Sequence, residues 1–299
     1  MSHTKRQYLP NGLWIVATPI GNLADLSPRA QWALTDADAI LCEDTRRTAP
    51  LLSALGLGQK IQSLHRLDAH TTISKLKHWV SLLEAGKNLL LVSDAGTPAV
   101  SDPGAQLVAL AHEKAVRVTP IPGASAVLTL LSSAGFESGE FTFRGFFPRK
   151  KNEQTQELKS VSHSSLSNVM IWFESPQRIL GTLETLVKEY PLVRTVVGKE
   201  LTKIHERLFV GTAQQVFELV SSEITEQGPL GEWCFGVEFE KSASSEQEKG
   251  SALEFAGLAL QCLLECEVSP SIAAKKVSQI FGISKNELYS LALKQAGKK

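Results

Sequence analysis

The chain has 299 residues, 43% of them hydrophobic, with 31 Lys+Arg balanced against 31 Asp+Glu, which is enough sequence for about two domains with a core each. The balance excludes a diffuse polycation that coats nucleic acid without specificity, so any nucleic-acid contact must come from a local patch. No apolar run approaches the roughly 20 residues that cross a bilayer, and the polar stretch MSHTKRQYLPNG lacks a secretory apolar region, so a cytoplasmic protein is expected.

The first half reads as alternating strands and helices. Strands are expected at 13–18, 39–42, 61–64, 89–93 and 116–119, and helices near 27–34, 45–55, 71–85 and 104–113. Ser27-Pro28 supplies a helix cap followed by proline in the first turn, and Gly56 and Gly86 fall where helices should stop. This alternation predicts a mainly parallel sheet covered by helices. After Pro122-Gly123-Ala124-Ser125 a helix to about Ser133 leads into a second unit, with strands at 141–147, 169–173, 195–199, 208–210 and 233–239 and helices near 153–161, 177–189 and 213–222. The short connection 200–207 predicts an antiparallel pair, so the second sheet should be mixed.

The run 241–250, KSASSEQEKG, is polar enough to serve as a flexible linker. Beyond it, Ser269-Pro270 starts a helix, Gly282 breaks it, and Ser284 with Glu287 has the spacing of a capping box for another. The apolar pattern Ala273, Ala274, Val277, Ile280, Phe281 and then Leu288, Leu291, Ala292 fits either a helix-turn-helix with Lys275, Lys276, Lys285 and Lys294 toward phosphates or a plain helical hairpin. The expected layout is 1–121 and 122–240 as two α/β domains, 241–250 as linker and 251–299 as a small helical domain. Cys42, Cys234, Cys262 and Cys266 form no CxxC or Cys/His cluster, so no metal site is expected.

Two turn-forming segments follow short apolar runs. Thr18-Pro19-Ile20-Gly21-Asn22-Leu23 comes after Leu13–Val16, and SDAGTPAVSDPG at 93–104 comes after Leu89–Val92. Loops at the carboxyl ends of parallel strands surround the crevice where open α/β sheets bind ligands, so the two segments point to one shared small-molecule pocket. Neither GxGxxG nor GxxxxGK[ST] occurs, which removes the dinucleotide fingerprint and the P-loop.

Charged residues near these loops are candidates for chemistry. Glu43, Asp44 and Arg46 follow an apolar strand at the edge where functional groups gather, although acidic residues also favour helix starts. Glu200 and Lys203 form a second pair, readable as catalytic and substrate-binding or as an ion pair. Arg144, Arg149, Lys150 and Lys151 lie beside Phe141, Phe143, Phe146 and Phe147, a combination suited to phosphate and to stacking on an unpaired base, while the alternation assigns most of the rings to the core.

Taken in order, TPIGNL (18–23), CEDTR (42–46), VSDAGTPAVSDPG (92–104), PGASA (122–126), GFFPRK (145–150), FES (173–175) and KELTK (199–203) resemble the ribosomal RNA small subunit methyltransferase I family, in the tetrapyrrole methylase superfamily. The resemblance runs from about Leu13 to Phe239, and the final helices resemble that family's short tail domain. Gln177 stands where members often carry His, and Ala17 where Pro commonly precedes the threonine. The resemblance implies two α/β domains of the tetrapyrrole methylase type plus a C-terminal helical domain. It also implies S-adenosylmethionine as methyl donor, the 2′-hydroxyl of a cytidine in the decoding region of 16S rRNA within the small ribosomal subunit as acceptor, and a homodimer. Carried over by motif, Ile20, Gly21, Asp94, Gly96, Thr97, Val100, Ser125, Ala126, Phe173 and Glu174 would surround the donor. Methylation of a small tetrapyrrole on the same scaffold and a noncatalytic ribosome-binding factor are the competing readings.

Overall fold

A computed structural model describes residues 9–99, 104–162, 167–240, 244–266 and 268–296. Five strands, β1 (Leu13–Val16), β2 (Ala39–Cys42), β3 (Leu64–Arg66), β4 (Leu89–Val92) and β5 (Val118–Ile121), form a fully parallel sheet in the order β3-β2-β4-β1-β5. Strands β2 and β4 are buried along their whole length, as a sheet covered on both faces requires. Helices α1 (Pro28–Asp36) and α2 (Thr45–Ala54) bury Ala30, Ala33, Leu34 and Leu52 against Trp14, Val16, Ile40, Leu90 and Val92. On the opposite face α3 (Ile73–Glu84) and α4 (Ala105–Glu113) bury Leu76, Trp79, Val80, Leu83, Leu107 and Ala111 against Leu13, Leu41, Leu89 and Leu91. Successive residues of β1, β2 and β4 thus serve opposite cores.

Helix α5 (Ala126–Ala134) leads to β6 (Phe141–Phe146), α6 (Lys151–Ser162), β7 (Val169–Glu174), α7 (Ile179–Glu189), β8 (Arg194–Lys199), β9 (Arg207–Thr212), α8 (Ala213–Gln227) and β10 (Trp233–Glu238). The second sheet has the order β6-β7-β10-β8-β9. Only β6 and β7 run parallel, and β8 and β9 pair antiparallel across the 200–206 turn, which makes the sheet mixed. Val127, Leu130 and Ala134 of α5 cover one face through Val169, Ile171, Val196 and Cys234. Trp172 stacks on Phe235 at 5.1 Å, and Phe147 meets both rings edge-on. Both sheets belong to one compact unit that ends at Glu238.

The remaining unit has a core of its own. Ala256 and Leu260 from α9 (Ser244–Glu265), Ala273, Ala274 and Val277 from α10 (Pro270–Phe281), and Leu288 and Ala292 from α11 (Lys285–Ala296) are fully buried together.

Two expectations need correction. The run 61–64 is not the third strand: residues Gly58–Ser63 coil as a 3₁₀ helix with Ile61 exposed, and pairing begins at Leu64. The supposed linker is largely helical, since residues 244–250 open α9 and 241–243 lie outside the described residues. Its Ser, Glu, Gln and Lys residues lack an apolar stripe but do not oppose a helix. Among the described residues no helix is long and apolar enough to cross a membrane.

Candidate active site

Because β4, β1 and β5 are neighbours, the loops that leave their carboxyl ends lie side by side. Backbone pairing ties the first two: Thr18 N–H donates to the Gly96 carbonyl at 2.9 Å, and Gly96 N–H returns a bond to Thr18 at 3.1 Å. The buried Thr18 hydroxyl donates to the Ser93 carbonyl at 3.2 Å. Thr97 extends the tie to the third loop through a 3.2 Å bond to the Ala124 carbonyl. Gly96 has φ +81°, and an added Cβ there would meet Ile20 Cγ2 at 3.3 Å, so both backbone geometry and space select glycine. The two loops singled out in the sequence, together with the 122–125 turn, form one floor.

The second sheet supplies the facing wall. Ile20, Ala124 and Ala126 belong to the same apolar cluster as Phe143, Phe173, Leu201 and Cys234. The turn after β8 comes closest: a Cβ on Gly21 would stand 2.9 Å from the Leu201 carbonyl oxygen and 2.8 Å from Thr202 Oγ1. Glu200 and Thr202 adopt φ +51° and +67°, a conformation that L side chains rarely hold. The Thr202 hydroxyl is buried with no hydrogen-bond partner among the described residues. Ser125 caps α5, accepting from Leu128 N–H at 3.5 Å, so the helix begins directly after the 122–125 turn of the floor.

The Glu43 to Arg46 segment joins this floor through Asp94, whose carboxylate accepts from Asp44 N–H at 3.2 Å and pairs with Arg47 at 3.5 Å. Asp44 caps α2 by accepting from Arg46 N–H at 2.9 Å and pairs with the Arg46 guanidinium at 2.7 Å. Those Arg46 bonds hold the Asp44 carboxyl down at about 2. Glu43 is half-buried at the end of β2.

Glu200 and Lys203 pair at 2.7 Å. Glu200 also accepts from Glu232 N–H at 2.8 Å, and Lys203 reaches Glu232 at 3.1 Å. Partial burial pushes the Glu200 carboxyl up, but the Lys203 and Glu232 hydrogen bonds and the nearby positive charges together carry it below its ordinary value. Glu174, read as a donor contact, is buried with its carboxylate committed to Ser175 N–H at 2.7 Å, Thr182 Oγ1 at 2.6 Å and the Arg178 guanidinium. Val100 lies outside the described residues.

Among the basic residues, Arg144 is held by both oxygens of Glu157 at 2.8 and 3.0 Å, Lys150 pairs with Glu153 and Lys151 with Glu184. Arg149 is exposed and has no acidic partner among the described residues. Lys150–Glu153 is an i,i+3 pair open to view in the sequence, whereas Arg144–Glu157 and Lys151–Glu184 span 13 and 33 residues and are not displayed there. The same holds for Arg47 on Asp94, whereas Arg178 lies four residues after Glu174, a helix-like spacing that offered a signal.

The model of the tetrapyrrole (corrin/porphyrin) methylases matches residues 12–216. A ribosomal RNA small subunit methyltransferase I from Xylella fastidiosa is 38% identical over 281 residues, covering 94% of this chain and 98% of its own. The protein of that name from Escherichia coli O157:H7 is 37% identical over 286 residues, covering 95% and 96%. The chain belongs to the ribosomal RNA small subunit methyltransferase I family. Solved structures agree on the fold: diphthine synthase superposes with a TM-score of 0.58 at 16% identity, covering 76% of this chain and 89% of its own, and the methyltransferase CobJ with 0.54 at 16%, covering 77% and 94%.

Methylases of this family draw on S-adenosylmethionine. The floor and wall fit such a donor. Ile20, Ala126 and Phe173 offer an apolar lining, the N-terminus of α5 suits a carboxylate, and the unpartnered Thr202 hydroxyl adds a polar group.

Proposed function

We propose that this chain is an S-adenosylmethionine-dependent methyltransferase that methylates the 2′-hydroxyl of a cytidine in the decoding region of 16S rRNA, acting on the small ribosomal subunit as a homodimer. The observation that carries the reading is the convergence of three strand-end loops, tied by the Thr18–Gly96 bridge and the Thr97–Ala124 bond, against Phe173 and the 200–203 turn. Support for RNA as substrate comes from the near full-length likeness to proteins named for small-subunit ribosomal RNA.

When bound, the donor supplies an electrophilic methyl group on a sulfonium. Ile20, Gly21, Asp94, Gly96, Thr97, Val100, Ser125, Ala126 and Phe173 are assigned to hold it, with Glu174 beside them at the end of β7, its carboxylate anchoring Ser175, Arg178 and Thr182. A ribose hydroxyl is a weak acid, so removing its proton needs a placed acceptor. Asp44, at about 2, is a poor one. Glu200 is already shared between Lys203 and the Glu232 amide. We assign proton acceptance to Glu43, half-buried at the end of β2 beside the floor, orientation of Arg46 to Asp44, and shaping of the cleft to Glu200 and Lys203. Closure around the loops excludes water and strengthens each remaining electrostatic contact.

The test uses the full chain with radiolabelled S-adenosylmethionine, offered small subunits that lack the modification and, in a parallel reaction, a porphyrinoid. Label recovered in a cytidine ribose is expected. Label only in a porphyrinoid, or subunit binding without label, overturns the proposal.

A further inference from the structure

We propose that a cavity of about 580 Å³ at the ends of β6 and β7, lined by Phe146, Phe147, Pro148, Arg149, Ser175 and Arg178, receives an unpaired nucleotide of the substrate RNA, its base stacked on Phe146 and its phosphate on Arg149. The proposal deepens the function above and rests on it. Phe146 is 65% exposed, a large ring left in water at the end of a strand whose neighbour Phe147 is fully buried. Its one described ring contact is edge-on with Phe173 at 5.6 Å. That contact fixes the ring while leaving most of its surface open. Unpaired bases are recognised by such exposed rings beside cations, because every base presents a π-face and a nearby phosphate.

The charges around the ring fit the same guest. Arg144, Lys150 and Lys151 are each neutralised by a glutamate, whereas Arg149 has no acidic partner among the described residues. On the far wall Arg178 is pinned through Glu174, Ser175 Oγ at 3.2 Å and the Phe147 carbonyl at 3.3 Å. Its remaining nitrogen, Nη1, is buried with no hydrogen-bond partner among the described residues. Phe173 links the two sites: it touches Phe146 on one side and shares the cluster of Ile20 and Ala126 on the other. A base on Phe146 therefore lies one ring away from the donor lining.

Phe146→Ala in the full chain tests the assignment, since truncating an exposed ring leaves the core filled. We expect the KM for small-subunit RNA to rise on the order of tenfold, with the donor Kd unchanged by calorimetry and with Phe146→Trp restoring the wild-type KM. Arg149→Gln should raise the same KM and lower the salt slope of RNA binding by about one. An unchanged KM in Phe146→Ala, or an equal weakening of donor binding, overturns the subsite while wild-type methylation of the RNA leaves the broader function standing. A wild-type chain that transfers no label to RNA overturns the function itself, and the subsite with it.

Discussion

Gly21 lies so near the turn after β8 that a Cβ on it would stand 2.9 Å from the Leu201 carbonyl oxygen. The Lys203 side chain also lies in that space and can swing away, but the carbonyl belongs to a turn already held at positive φ on both flanks, at Glu200 and Thr202. Gly21→Ala should therefore push the first loop off the second half, at about 1–3 kcal/mol of stability. If the loop holds the donor, affinity falls with it, by roughly tenfold for each 1.4 kcal/mol lost at the site. Calorimetric titration with S-adenosylmethionine beside a urea melt measures both. Wild-type affinity in the variant would remove Gly21 from the site.

The Thr18 hydroxyl is a second joint. It is buried, and its bond to the Ser93 carbonyl connects the loops after β1 and β4. Thr18→Val keeps the shape and deletes the donor, leaving a buried carbonyl unpaired at a cost of about 1–3 kcal/mol. Thr18→Ser should recover most of it. Thermal melts of the three proteins check the order wild type, Ser, Val.

Much of this arrangement was legible in the sequence. The apolar runs and their glycine and proline stops located nine of the ten strands to within a few residues, because a strand buried on both faces is written as an unbroken apolar word such as Leu89–Val92. The third strand escaped because Ile61 looks like core but points outward from a 3₁₀ turn. The strand-end loops could be found from their turns, but their mutual bonds could not. Thr97 to Ala124 and Asp44 to Asp94 span 27 and 50 residues, and nothing local encodes such pairings. Charge was misleading in the same way: Arg144 looks available until Glu157 arrives from α6.

The carboxylates at the end of β2 should separate by role. Glu43→Gln is expected to lower kcat on the order of a hundredfold with donor affinity unchanged, the size of a lost general base. Asp44→Asn should behave differently, since asparagine caps a helix as well as aspartate does. The folded Asp44 carboxyl sits at about 2, held there first by the Arg46 hydrogen bonds, against an ordinary 3.8. A depressed carboxyl stabilises fully above its unfolded value and loses that contribution as pH falls through the folded one. The stability difference between wild type and Asp44→Asn should thus shrink between about pH 4 and pH 2. A kcat for Glu43→Gln equal to wild type would overturn the assignment of Glu43 as the base.

The terminal helices present Lys275, Lys276 and Lys285 on exposed positions around a closed small core. If these lysines meet RNA phosphates, replacing all three by alanine should weaken small-subunit binding and reduce its salt slope by roughly two to three, one per lost contact. Donor affinity should not move. An unchanged slope would leave the module with no part in RNA binding.

A buried ion pair supports the turn that abuts Gly21. Lys199 closes β8 immediately before Glu200, and its ammonium meets Glu223 of α8 at 2.6 Å with both side chains below a tenth exposed. Gln227 Oε1 at 3.4 Å and the Trp233 ring at 5.5 Å complete the surroundings. Removing one partner strands the other charge out of water, so Glu223→Ala should cost about 3–5 kcal/mol. The paired replacement Lys199→Met with Glu223→Leu fills the same space without charge and should regain most of that loss. Urea denaturation gives the stabilities, and the interaction free energy of the cycle reads their coupling. If the double variant is as unstable as Glu223→Ala, the lysine matters for more than its charge, and its place at the start of the turn becomes the explanation to test through donor affinity.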